Sequence, residues 1–148
     1  MTREFGSIVV LATALAFAFA FSFSACGGEG TATTDTFPAA AYETLASASG
    51  AYTIEVRTSP QPPQVGVGSV ELYVRDRGGV AADGLAFQVT SVMPAHSHGA
   101  SVHPTIEPKG AGVYVLHDVS TYMPGKWELH AAIGGPASDE AVIVLDVH

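Results

Sequence analysis

The chain has 148 residues, a formal net charge of −8, only six Lys and Arg, and one cysteine. So acidic a chain offers little to a polyphosphate backbone or to anionic lipid head groups, which excludes nucleic acid as a natural partner. With one cysteine no internal disulfide can form, so the fold must stand on packing.

The first element is an export signal. Arg3 and Glu4 precede an apolar run over residues 8–23, then Phe23-Ser24-Ala25-Cys26. The run is short for a stable membrane span, and small residues before a Cys fit a cleaved segment. The stretch resembles a bacterial lipoprotein signal, which implies acylation of Cys26 and cleavage before it. Two features depart from the usual pattern: Phe23 stands where Leu is common, and Arg3 is offset by Glu4. Residues 1–25 are therefore set aside as a lipoprotein signal peptide. Residues 26–50 are read as the acylated Cys and a flexible tether, rich in Gly, Thr and Ala. A short helical turn is expected within 40–49, ended by Gly50. Residues 51–148 are enough for one domain.

From residue 51 the pattern has a period of two. Tyr52, Ile54 and Val56 alternate with polar residues, and Pro60, Pro62 and Pro63 then stop the strand. Val70, Leu72 and Val74 alternate next, followed by Leu85, Phe87 and Val89. A His-rich loop leads to an apolar strand over 113–119. Trp127, Leu129, Ala131 and Ile133 alternate with Glu128, His130 and Ala132, and 141–147 is nearly continuously apolar. These spacings predict an all-β fold, an Ig-like antiparallel β-sandwich of about seven strands. Trp127 should fill its core. His130 should point outward, opposite Trp127. His148 should fray at the terminus.

Two segments carry candidate chemistry: Met93-Pro94-Ala95-His96-Ser97-His98-Gly99, with His103 beyond it, and Tyr122-Met123-Pro124-Gly125-Lys126-Trp127. In an extended segment, residues two apart point the same way, so His96 and His98 can act together. Each Met precedes a proline and so sits at a strand end or loop. Imidazole nitrogen and thioether sulfur suit copper, Cu(I) above all, better than the oxygen-seeking Mg²⁺ or Ca²⁺. Zinc is the nearest competitor. The candidate metal ligands are Met93, His96, His98 and Met123, with His103 as a possible addition. A loop of polar filler and core-edge methionines would look the same in sequence. His117 and His130 lie within strands, His130 read as solvated, and His117 and Asp118, as neighbours on a strand, should face opposite ways. No Gly-x-Ser-x-Gly, phosphate-binding Gly-rich loop or His-Glu-x-x-His occurs, so the reading is a non-enzyme.

Both segments, in order, with Gly112-Val113-Tyr114 between them, resemble the YtkA-like/FixH-like family of exported Ig-like domains over about residues 67–147. The resemblance implies an extracytoplasmic sandwich associated with copper handling or cytochrome oxidase maturation. The lipobox here replaces the usual FixH membrane helix, which argues against a direct role in oxidase assembly. Tyr114 resembles the tyrosine corner of sandwiches. The expected protein is a lipoprotein of the bacterial cell envelope, facing the periplasm or exterior. It would bind copper through a Met/His loop. The alternative is a non-metal accessory domain that binds another envelope protein.

Overall fold

Alternating burial builds two sheets that face each other. The computed structural model describes residues 35–96 and 98–148, with the backbone alone at His98; the signal segment and Cys26 lie outside the described residues. The strands are β1 (Glu43–Ala46), β2 (Tyr52–Ser59), β3 (Gly66–Asp76), β4 (Ala86–Met93), β5 (His98–Gly99), β6 (Thr105–Gly110), β7 (Val113–Thr121), β8 (Gly125–Gly134) and β9 (Asp139–Val147). A 3₁₀ turn, Pro94–His96, joins β4 to β5. One sheet has the order β1-β2-β3-β7-β6 and the other β5-β4-β8-β9, and every pairing is antiparallel. The fold is thus the all-β sandwich that the alternation predicts.

The core lies between the sheets. Tyr52, Ile54 and Val56 face it from β2, and Val70, Leu72 and Val74 from β3. The opposite sheet supplies Phe87 and Val89, Trp127, Leu129 and Ile133, and Ile143 and Leu145. Strand β9 also alternates: its buried residues are Ala141, Ile143, Leu145 and Val147, while Val142 is exposed. Tyr114 is a corner residue. Its hydroxyl donates to the Ala82 carbonyl at 2.7 Å and accepts from the Leu85 amide at 3.0 Å. Its ring lies 4.9 Å from that of Phe87.

Four expectations need correction. The helical turn expected within 40–49 is the edge strand β1, whose Leu45 pairs with Ile54. A helix that short is marginal in water. As a strand, the segment packs Tyr42 and Leu45 against the core. It also shields the open edge of β9, where the Asp146 amide donates to the Tyr42 hydroxyl and the Val144 amide to the Glu43 carboxylate. The sandwich therefore begins before residue 51. Strand β6 was not expected, because only Ile106 in it is even half-buried. Residue His148 is held: its amide donates to the Pro63 carbonyl and its own carbonyl accepts from Val65, both at 3.1 Å. Asp118 takes φ 60° opposite a register shift between Gly68 and Val70, which interrupts the pleat. His117 and Asp118 consequently line the same depression, of about 430 Å³, with Asp35, Ser59 and Ser69.

The register fixes which loops share an end. Strand pairs Ser59↔Ser69, Gly66↔Thr121, Val92↔Glu128 and Gly125↔Val147 all lie towards one end. The connections 60–65, 94–97 and 122–124 collect there.

Candidate metal centre

The two Met-Pro segments meet at that end. Met93 is the last residue of β4, and its backbone pairs with His98 in β5. Gly99 follows, pressed so close to β4 that a Cβ would come within 2.8 Å of the Ser91 carbonyl oxygen. From the other segment, Tyr122 donates its hydroxyl to the Gly99 carbonyl at 3.0 Å. The Tyr122 ring stands edge-on to Trp127 at 5.0 Å. The Trp127 indole in turn donates to the Met123 carbonyl at 2.9 Å, closing the turn 123–127. Trp127 itself has no exposed surface.

The thioethers differ in setting. Met93 is 4 % exposed and belongs to the core, not to a loop. Its terminal methyl occupies space that a side chain at residue 125 would need: a Cβ on Gly125 would lie 2.9 Å away. Gly125 also has φ 123°, a backbone region open mainly to glycine. Met123 is half-buried and packs against the core edge. It is the more accessible of the two sulfurs.

The histidines divide by position. His96 ends the 3₁₀ turn and is exposed. His98 follows it in β5. His103 lies further along the β4 edge, its Nδ1 3.3 Å from the Val89 carbonyl. A carbonyl only accepts, so that contact uses Nδ1–H and leaves Nε2 directed elsewhere. His117 is not merely solvated. Its Nδ1 is 3.0 Å from Asp35 and its Nε2 3.0 Å from Glu107. The Lys109 ammonium, 2.7 Å from Glu107, and the His117 ring hold the Glu107 carboxyl below its usual range. His130 points outward and meets Glu128 at 2.8 Å.

Among the described residues, no group of three or more His, Cys, Asp or Glu side chains is placed to hold a metal ion. Methionine sulfur beside imidazole nitrogen would be a donor set that suits a soft cation. The sequence singled out Met93, His96, His98 and Met123, and their backbones do converge. It missed Tyr122 and Gly125, which hold the two segments together. The signal available for both was their position flanking Met123-Pro124.

No curated protein and no solved structure matches the chain. A family model described as YtkA-like matches residues 46–132, a span that runs from the end of β1 into β8 and includes both Met-Pro segments and Tyr114. By that match over more than half its length, the chain belongs to the YtkA-like family.

Proposed function

We propose that the protein is an extracytoplasmic accessory domain, held to the membrane by a lipid on Cys26, that binds copper without catalysing a reaction. The observation that carries this reading is the convergence of the two Met-Pro segments, tied by the Tyr122–Gly99 hydrogen bond. His96 and His98 would supply nitrogen and Met123 sulfur. Met93, nearly enclosed by the core, would contribute only to an ion seated against Gly125. Thioether ligation favours Cu(I) over zinc. A bound copper ion would offer a carrier or storage function to other envelope proteins, and the chain's part is to hold it and to exclude oxygen-ligand cations. X-ray absorption on the copper-loaded protein tests the donor set. Mixed nitrogen and sulfur scattering is expected. A shell of nitrogen and oxygen alone would remove the methionines. If no copper is retained, the domain is a non-metal interaction module of the envelope.

A further inference from the structure

His117 is gripped on both sides. Its Nδ1 lies 3.0 Å from the Asp35 carboxylate and its Nε2 3.0 Å from the Glu107 carboxylate. The two carboxylates come from different parts of the chain. Glu107 stands on β6 diagonal to His117, since Thr105 pairs with His117 and Glu107 with Val115. Asp35 belongs to the segment that leads into β1. An ionised carboxylate only accepts hydrogen bonds, so each ring nitrogen has to donate. A neutral imidazole carries one N–H and an imidazolium two. Both bridges together therefore require the protonated ring.

The charges around the ring decide which bridge depends most on that proton. On β6, Lys109 reaches Glu107 at 2.7 Å, so Glu107 keeps a cation whatever the state of the ring. Among the described residues, His117 is the ion-pair partner that Asp35 has. On β7, Asp118 lines the same depression and adds a second negative charge beside Asp35. The depression is completed by Ser59 and Pro60, and by Val67, Gly68 and Ser69 of β3, which carry no charge. Further along β3, Glu71 stands opposite Val115 and is held by Arg57 at 2.8 Å. The Asp35 side chain is 21 % exposed and that of His117 34 %, so solvent screens the pair only in part.

Asp35 also fastens the described chain before it reaches the sandwich. The next hydrogen bonds along the segment are those of the Ala40 carbonyl with Gln61, at 3.1 Å, and of the Tyr42 amide with the Val56 carbonyl, at 2.7 Å. Phe37 and Pro38, between them, are half-buried, and apolar contact of that kind does not respond to pH.

We propose that Asp35, His117 and Glu107 form a proton-dependent clasp, which fastens residues 35–39 beside β6 and β7 while the ring is protonated and loosens them when it is not. Histidine side chains exchange their proton between about pH 5 and 8. As pH rises through that exchange, the Asp35 contact falls from a charge-assisted bridge to at most a neutral hydrogen bond, with Asp118 close by. In acid the clasp opens again as the carboxylates take up protons. Lys109 first and His117 second hold Glu107 below its usual range. The closed state thus occupies a window bounded by carboxylate protonation below and imidazole deprotonation above. The clasp decides whether the chain leaves the sandwich at Asp35 or at Ala40. It does not depend on copper; the extracytoplasmic location proposed above would expose it to the pH of the surroundings.

The test is amide hydrogen exchange on the purified full-length protein at about pH 5.5 and about pH 8.5, on either side of the usual histidine range, with rates corrected for the chemical dependence of exchange on pH. Residues 35–40 should exchange at least about fivefold faster at the higher pH, while β2 and β8 stay unchanged. His117→Gln, which takes up no proton, should make the segment exchange fast at both pH values. Asp35→Asn keeps an acceptor without the charge and should shrink the difference to less than about twofold. A wild-type segment equally protected at both pH values would overturn the proposal, because Phe37 packing would then be what holds it. A response that persists unchanged in His117→Gln and in Asp35→Asn would overturn it by assigning the pH dependence to another group. The thermal midpoint of each variant controls for folding, and Asp35→Asn reads the clasp by itself if His117→Gln does not fold.

Discussion

The Tyr122 hydroxyl and the Gly99 carbonyl, 3.0 Å apart, join two segments separated by more than twenty residues. Through this bond the connection after β7 holds β5 at the edge of β4. Tyr122→Phe keeps the ring against Trp127 and removes only the hydroxyl. It should cost about 1 kcal/mol, measured by chemical denaturation. Amide exchange should quicken in 98–103 while the strands of the other sheet stay unchanged.

Trp127 is the largest side chain that the sandwich encloses completely. Trp127→Ala should destabilise by about 3–5 kcal/mol, and without a disulfide the domain has no covalent reserve. Trp127→Phe retains much of the packing but loses the bond to the Met123 carbonyl, so its cost should be smaller. A melting curve for Trp127→Ala that overlays the wild type would contradict the burial described.

Gly125 couples the two Met-Pro segments sterically. Gly125→Ala imposes a side chain at φ 123°, at about 1–3 kcal/mol, and pushes against the Met93 methyl. Shortening Met93 to Ala in that background relieves the contact but not the backbone. The double variant should therefore remain less stable than Met93→Ala alone. Equal stability of those two proteins, by denaturant titration, would show that residue 125 tolerates the conformation.

Asp139 provides the pH dependence. The Ser47 and Ser49 hydroxyls, with the Ser49 and Glu140 amides, hold its carboxyl well below the usual 3.8. Ser49 donates to it from both hydroxyl and amide, at 2.6 and 3.0 Å, pinning the turn after β1 to the start of β9. A carboxyl depressed in the folded state stabilises above its unfolded pKa, and that contribution is lost as pH falls through the folded value. Stability should decline below about pH 4. Asp139→Asn should be less stable at neutral pH and should show a shallower acid decline. An unchanged acid profile in that variant would contradict the assignment.

Legibility followed the distance over which a residue's role is set. Trp127, Leu129 and Ile133 declare themselves because alternation along one strand is enough to bury them. Tyr114 is readable for a similar reason, from Gly112 just before it. Strand β1 is not readable, because its four residues show no clear period and what makes it a strand is its pairing with β2, helped by side-chain bonds to β9, about a hundred residues away. Strand β6 carries Pro108 and too little apolar surface to show a period. Met93 illustrates the ambiguity of a Met-Pro pair: proline marks where the strand stops, and Met93 turns into the core because it continues the alternation of Phe87 and Val89 along β4, with Gly125 leaving room for its methyl. The Asp118 kink, too, depends on a register shift in the neighbouring strand β3.

The central claim is that the joined Met-Pro end binds Cu(I). The most direct measurement is titration of the soluble domain, residues 27–148, with Cu(I) under reducing conditions against a competing chelator. The account predicts one equivalent bound in competition with the chelator, and loss of that binding when His96 and His98 are replaced together. Met123→Leu should weaken Cu(I) more than Cu(II), with the denaturation midpoint held as a control for folding. Copper affinity that is weak in the wild type and unchanged in the His96/His98 variant would contradict the claim.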